Sequence, residues 1–336
     1  MVSSLPSKAA PCQFLPCSHS WVALHPQPKG VIQFVGSMLF GVVPTFSYRY
    51  FLESLFKAGY TVVALPFRFT LHHWSIAIEL LDEHYMLRTA MVEMAMAKGY
   101  DSAVYLDSAN YAWIGHGLGC KYIMLLELLS TSDDALAGYF QDLEQDASEQ
   151  LSVIQQGLAC LSDRLKLVEN YLQRLTSMTI DYGQPSIMHQ ASLLLAPAIK
   201  DPIFVKLLRL SGSKRLTVSP SMVQTHQLVE YSRLFRLTGL IQFARDRETA
   251  NTCQQLMQEQ PHIRRRLLKG NHLEPVGFQV GQFVMDFNPL DKFIQPLSCR
   301  DLEFKTLALL NRLRQVPPSS HQTRYAVPSS SERLAA

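Results

Sequence analysis

Residues 111–121, YAWIGHGLGCK, join a strand pattern to a helix pattern through a turn rich in glycine. The segment YAWIG is short, apolar and rich in bulky side chains, which is typical of a buried strand. The glycines of GHGLG permit a sharp turn, and LGCKYIMLLELL continues as an apolar helix. A strand, a tight turn and a helix in direct succession predict one unit of a parallel sheet covered by helices.

The flanking sequence repeats this pattern on both sides. Helices are predicted at 45–58 and 74–98, each closed by a glycine, and the sheet is therefore predicted to be mostly parallel with helices on both faces. The first two strands are separated by HPQPKG, which predicts a hairpin between them. These two strands are predicted at 20–24 and 31–35. Besides YAWIG, the remaining strands are predicted at 60–67, 191–199, 237–245 and 262–270.

Residues 131–186 interrupt the alternation of strands and helices. Within them, apolar residues recur at steps of three and four from 151 to 175, which predicts one long amphipathic helix. We expect Leu158, Leu161 and Leu165 on its apolar face. Such a face can close over the domain as a helical lid, or it can pair with a second copy in a homodimer; the lid is favoured because coiled coils usually run longer.

The turn GHGLG has the spacing of a nucleophile elbow, G-x-S-x-G, but Gly117 stands where the serine belongs. Removing the nucleophile from a Ser-His-Asp unit lowers turnover by about 10⁶. We expect neither neighbour to replace it: Cys120 lies one helical turn further on, and His116 occupies the position that packs beside the elbow.

The remaining members of a catalytic triad occur in the order that this motif requires, an acid followed by a histidine. Asp246 follows the strand LIQFA, and His272 follows RRRLL. Alone, the aspartate would be interpreted as a helix cap and the histidine as a loop residue. Their order and the elbow together predict a remnant triad around Gly117.

Backbone N–H groups near the turn are the candidates for an oxyanion hole. In this arrangement one donor follows the nucleophile, here Leu118, and the other comes from the loop after an early strand, here Ser37 or Met38 in FVGSMLFG. An ordinary connection between strand and helix is the alternative interpretation of this loop.

Three stretches resemble one family: the region from Pro28 to Phe67, the turn GHGLGCK and the segment GNHLEP. They are similar to the domain of unknown function 1350 family of cyanobacteria and plant plastids, whose members resemble α/β-hydrolases. The resemblance implies an α/β-hydrolase-like fold over roughly residues 20–310 and a photosynthetic origin. It also implies an elbow that often reads G-H-S-L-G-C-K, from which this chain departs at Gly117.

Composition limits the remaining classes. The 336 residues are 47% hydrophobic with a net charge of +3, so the chain can bury a large core and we expect no nucleic-acid partner. The Ser-rich start and the Pro- and Ser-rich end predict disordered tails at 1–18 and 316–336, on either side of one domain at 19–315. No run of 18 apolar residues and no C-x-x-C pair occur, so we expect no transmembrane segment and a cytoplasmic protein, or a stromal one in a plant or alga. No motif for a metal or a cofactor is present.

We therefore predict an α/β-hydrolase-like protein that has lost serine hydrolysis and keeps a lidded pocket for a small apolar ligand, as a binding or scaffold protein. One alternative is an active or weakly active esterase or lipase-like hydrolase that uses His272 and Asp246. Another is an assembly protein that pairs through the helix at 151–175.

Overall fold

Eight strands form the central sheet of the computed structural model, which describes residues 11–141, 143, 147–199, 218–232, 237–287 and 293–315. Their order across the sheet is β1-β2-β4-β3-β5-β6-β7-β8, and all neighbours from β4 to β8 are parallel. The predicted α/β-hydrolase-like architecture is confirmed. The strands are β1 Leu15–Cys17, β2 Ser20–Ala23, β3 Val31–Val35, β4 Thr61–Leu65, β5 Tyr111–His116, β6 Ala191–Leu195, β7 Thr238–Phe243 and β8 Arg264–Leu268.

Helices cover both faces of this sheet because its central strands are apolar on both sides. In β3, Val31 and Val35 join the core on one face, whereas Ile32 and Phe34 join the core on the other. The helices are α1 Pro44–Ser47, α2 Arg49–Lys57, α3 His73–Ala97, α4 Leu118–Leu129, α5 Asp133–Gln141, α6 Ala147–Thr176, α7 Met222–Tyr231, α8 Ala250–Glu259 and α9 Leu302–Arg314. Helices α3, α4 and α6 pack on the first face, and α2 and α9 pack on the second.

The N-terminal part of the sheet differs from the prediction in two ways. Residues 15–17 form strand β1, so the prediction of a disordered tail over 1–18 is wrong at these residues. The hairpin joins β1 to β2 rather than β2 to β3, because β4 lies between β2 and β3. Strand β3 is buried on both faces, which suits a parallel central strand better than a hairpin arm. Residues 1–10 and the predicted tail at 316–336 lie outside the described residues.

The described residues of the insertion at 131–186 form two helices, α5 and α6. The apolar face of α6 is buried, with Leu161 and Leu165 each 1% exposed, and α6 packs mainly on α3 and α5. Arg164 of α6 forms a salt bridge of 2.9 Å with Asp82 of α3. The seam is thus already covered within the chain, which favours an intramolecular role over a coiled-coil dimer. The role of Leu158, Leu161 and Leu165 in a lid stays a prediction.

A second, small sheet follows the main one. Its antiparallel strands are β9 Phe278–Val280, β10 Phe283–Met285 and β11 Ile294–Pro296. Three residues per strand are too few for a clear hydrophobic period, which explains why the sequence pattern does not predict them. In the described part of the chain, no helix combines the length and the hydropathy needed to cross a membrane.

Candidate active site

The turn between β5 and α4 has the backbone of a nucleophile elbow. Gly117 adopts φ 57° and ψ −118°, a conformation that side-chain-bearing residues rarely adopt outside strained functional turns. The flanking glycines allow close packing: a Cβ atom on Gly115 would lie 2.8 Å from the Cys120 nitrogen, and one on Gly119 would lie 2.1 Å from the Val35 oxygen. Both glycines of the motif are therefore required by the fold of the turn itself.

Asp246 and His272 form the hydrogen-bonded pair that their order in the chain predicts. The His272 Nδ1 atom lies 3.0 Å from the Asp246 Oδ2 atom. The aspartate side chain is 1% exposed and the histidine side chain 19%. Because a carboxylate only accepts hydrogen bonds, Nδ1 carries the proton, and Nε2 of neutral His272 is left as a base.

The surroundings of Asp246 keep its carboxylate ionised. Burial alone would raise its pKa, but hydrogen bonds from His272 and Thr249 outweigh burial and lower the pKa below its ordinary value. Thr249 Oγ1 donates to Oδ2 at 2.6 Å, and the backbone N–H groups of Glu248 and Thr249 donate to Oδ1. One carboxylate oxygen thus orients His272, while the other stabilises the turn before α8. The two alternatives for Asp246, catalytic partner and turn cap, coexist.

Two side chains converge on the space beside Gly117. A Cβ atom placed on Gly117 would lie 3.5 Å from His272 Nε2, 2.5 Å from Ser37 Oγ and 2.8 Å from Ser37 Cβ. The side chain of Ser37 therefore lies in space that a side chain at position 117 would need. An oriented His-Asp pair and a hydroxyl group thus lie beside the same glycine.

Residues 14–314 match the family described as a protein of unknown function, DUF1350. The chain belongs to the DUF1350 family. A search of curated proteins finds no match to this chain. Among solved structures it is similar to esterase B from Lactobacillus rhamnosis, with 10% identity, a TM-score of 0.48 and coverage of 88% of this chain and 80% of that one. It is also similar to a sugar hydrolase from Lactococcus lactis, with 9% identity, a TM-score of 0.45 and coverage of 90% and 98%. These similarities are too remote to say what the DUF1350 chain acts on.

A buried histidine network, which the sequence pattern does not predict, supports the elbow of the DUF1350 protein. His116 Nε2 lies 2.8 Å from the His272 carbonyl oxygen, and His116 Nδ1 lies 2.8 Å from Tyr48 Oη. The carbonyl can only accept, so Nε2 carries the proton and Tyr48 donates to Nδ1. The Tyr48 oxygen in turn accepts the N–H of Ser37 at 2.8 Å. The network thus joins the loop of Ser37 to the loop of His272.

His116 is a structural member of this network rather than a base. It is fully buried, and burial, together with the nearby His272, lowers its pKa to about 3. It is therefore neutral at physiological pH, and its two ring nitrogens are both hydrogen bonded. The expectation that the residue before Gly117 packs beside the elbow agrees with this position. Tyr48 reaches His116 because the predicted helix 45–58 breaks at Tyr48 into α1 and α2.

The predicted oxyanion donors differ in their availability. The N–H of Ser37 is already donated to Tyr48, so the structure leaves no backbone donor at Ser37 for an oxyanion. Leu118 is the first residue of α4, and a first helical residue has no carbonyl one turn earlier to accept its N–H. Met38 is half-buried beside the apolar core of the elbow face. Leu118 and Met38 remain candidates for the oxyanion hole.

Cys120 does not take the place of a nucleophile at position 117. Cys120 is fully buried, its Sγ atom faces the Leu195 carbonyl at 3.3 Å, and burial raises its pKa well above that of a free thiol. No cluster of three or more histidine, cysteine, aspartate or glutamate residues suitable for a metal ion occurs among the described residues.

Proposed function

We propose that this DUF1350 protein hydrolyses carboxylic esters, with His272 as the general base and Asp246 as the residue that orients it. The observation that carries this proposal is the 3.0 Å hydrogen bond between His272 Nδ1 and the buried Asp246 carboxylate. This bond fixes the tautomer in which Nε2 can accept a proton beside the elbow. Sequence alone favours a non-hydrolytic protein, because Gly117 carries no nucleophile. The hydroxyl group of Ser37 beside Gly117 supports hydrolysis instead.

The surface next to the site supports an apolar substrate. The loop that begins at Ser37 continues through exposed apolar side chains, including Leu39 at 75% and Val43 at 55% exposure. Apolar side chains that stay exposed beside a polar site favour binding of an apolar group. We therefore propose an ester whose acyl or alcohol part is a short apolar chain.

A binding protein without hydrolysis is the second candidate. The observation that favours it is Gly117 itself, because the elbow carries no side chain and the nearby Cys120 is buried. In this case the His272–Asp246 pair would only hold its two loops together, and a small apolar ligand would bind without reacting. A lid formed by α6 and a cytoplasmic or stromal location remain compatible with either candidate.

The experiment compares hydrolysis of p-nitrophenyl butyrate by the parent protein, His272→Ala and His19→Ala. His19 is an exposed histidine and serves as the matched control for nonspecific imidazole catalysis. General-base catalysis contributes about 10²–10⁴ to a rate, so we expect His272→Ala to lower kcat/KM by at least about 100-fold. His19→Ala should retain the parent rate. Equal rates in all three proteins would contradict hydrolysis and favour the binding protein.

A further inference from the structure

We propose that Ser37 is the nucleophile of this site, and this inference rests on the proposed hydrolase function. The loop after β3 would then supply the hydroxyl group that the elbow lacks. Ser37 Oγ and His272 Nε2 both lie within 3.5 Å of the point where a Cβ atom of residue 117 would be. The hydroxyl and the base therefore both border the position of the first side-chain atom of residue 117.

Ser37 and Gly117 are mutually dependent in this arrangement. A side chain at position 117 would collide with Ser37, whose Oγ atom would lie only 2.5 Å from the new Cβ atom. With Ser37 in its present position the elbow accommodates glycine, and a side chain at position 117 requires Ser37 to shift or to be replaced by a smaller residue. The absence of a nucleophile at Gly117 is thus also what admits Ser37 to the site.

The loop that carries Ser37 is held in place rather than left to sample many positions. Its N–H donates to Tyr48, and its carbonyl accepts the N–H of Gly41 at 2.5 Å. Gly36 allows the loop to fold tightly, because a Cβ atom there would lie 2.8 Å from the Gly41 Cα atom. Ser37 itself is half-buried. Preorganised positioning of this kind is what nucleophilic catalysis needs.

The chemical step follows the usual acyl transfer with Ser37 in the role of the serine. Its Oγ forms a bond to the ester carbonyl carbon as Nε2 of His272 takes the hydroxyl proton. The tetrahedral intermediate collapses, the bond to the alcohol oxygen breaks, and His272 returns the proton to the departing alcohol. Water then attacks the acylated Ser37, His272 takes its proton and gives it to Ser37 Oγ, and a carboxylic acid leaves.

One adjustment is required before this reaction. Among the hydrogen bonds of the described residues, none joins Ser37 Oγ to His272 Nε2, although both atoms border the same space. Catalytic hydrogen bonds are often long until substrate binds, and rotation about the Cα–Cβ bond of Ser37 moves Oγ without moving the backbone. The alternative is that Ser37 only fills the space beside Gly117, and the experiments below separate the two roles.

The first experiment locates a covalent adduct. A fluorophosphonate probe transfers its phosphonyl group to an activated serine hydroxyl and releases fluoride, and mass spectrometry of tryptic peptides then identifies the serine. The peptide of residues 30–49 contains both Ser37 and Ser47, and Ser47 is 5% exposed, so Ser47→Ala is the matched control. We expect labelling of Ser37 in the parent and in Ser47→Ala, and at least a 100-fold slower labelling in Ser37→Ala and His272→Ala. A label on another serine, or undiminished labelling of Ser37→Ala, would overturn the assignment.

The second experiment moves the hydroxyl group back to the elbow. The double variant Ser37→Gly/Gly117→Ser removes the collision, whereas Gly117→Ser alone keeps it. We expect the double variant to be labelled at residue 117, in the peptide of residues 99–121, and to regain p-nitrophenyl butyrate hydrolysis that Ser37→Gly has lost. A folded double variant that is neither labelled nor active would count against a shared nucleophile position.

Hydrolysis rates distinguish failure of this inference from failure of the proposed function. If Ser37→Ala keeps the parent rate and this rate still falls in His272→Ala, then His272 activates water directly and the role of Ser37 is overturned. If the parent shows no hydrolysis that depends on His272, the hydrolase function itself is overturned. Melting temperatures of the variants within a few degrees of the parent ensure that a lost rate is not lost folding.

Discussion

Two polar clusters of this protein are each built around a histidine, yet they leave that histidine in different states. The first, the Arg88 cluster, is buried and consists of Gln33, His84, Arg88, Trp113 and Gln190. Both ring nitrogens of His84 form hydrogen bonds of 2.8 Å there, one with Gln33 and one with Arg88. At the elbow, His272 uses one ring nitrogen for Asp246 and directs the other toward Gly117.

The charge of the neighbour decides which role each histidine can have. Arg88 only donates, so His84 Nε2 accepts and Nδ1 donates to Gln33. Burial and the Arg88 charge lower the pKa of His84 well below its ordinary value, and His84 stays neutral. Beside His272 the neighbour is instead the anionic Asp246, which stabilises the imidazolium ion that forms when Nε2 takes a proton. The neighbouring cation therefore keeps His84 as a neutral hydrogen-bond acceptor, whereas the neighbouring anion allows His272 to act as a base.

Asp246→Asn should have the largest effect on this contrast. An amide nitrogen facing Nδ1 would donate to it and force the proton of His272 onto Nε2, which then cannot act as a base. We expect His272-dependent hydrolysis of p-nitrophenyl butyrate to fall by about 10⁴. Asp163→Asn changes an aspartate whose side chain is 83% exposed and should retain the rate. A loss below about tenfold in Asp246→Asn would mean that Asp246 does not set the tautomer.

The sequence predicts those parts of the site that depend on local patterns and on the order of residues along the chain. The strand, glycine turn and helix around Gly117 follow from residues within a few positions of each other, and Asp246 and His272 follow from their place after later strands. Ser37 comes from a loop 80 positions away from Gly117, and only the packed fold brings its side chain to the elbow. The sequence predicts that Ser37 contributes its N–H group to an oxyanion hole, but this N–H group donates to Tyr48.

The fold divides in the same way. Long apolar runs in the centre of the sheet predict their strands well, because both faces are buried. Strand β1 and the small sheet of β9, β10 and β11 have three residues each, too short for a period of two to show. The pairing of β2 with β1 and β4 depends on which strand fills the neighbouring edge of the sheet, which no local turn signal encodes.

Arg88→Met should have a smaller effect, on stability rather than on catalysis. Arg88 is fully buried and lies against the rings of Tyr85, Tyr111 and Tyr182 at 4.4–5.0 Å, so its charge is balanced by ring faces. Methionine keeps part of the volume but leaves His84 Nε2 without its best donor. We expect the free energy of unfolding to fall by about 2–4 kcal/mol in urea titrations.

The matched control for Arg88→Met is Lys98→Met, which changes an exposed cation at the end of α3. Such surface changes usually stay within about 0.5 kcal/mol of the parent. His272-dependent hydrolysis of folded Arg88→Met should equal that of the parent. If its rate falls as steeply as in Asp246→Asn, the two clusters are coupled and the contrast between them does not hold.

His116→Phe should change the slope of stability with pH rather than the rate of hydrolysis, and it tests the third histidine. Unfolded histidine binds a proton below about pH 6.5, whereas burial holds the pKa of folded His116 at about 3. Between these values the unfolded state binds more protons, so stability falls as the pH is lowered, by up to about 1.4 kcal/mol per pH unit for one such group. Urea titrations from pH 7 to 4 should show this slope reduced in His116→Phe and unchanged in His19→Phe, the exposed control. Equal slopes in all three proteins would mean that His116 gains a proton in the folded state, and the hydrogen bond between its Nδ1 atom and Tyr48 would then run from His116 to the Tyr48 oxygen.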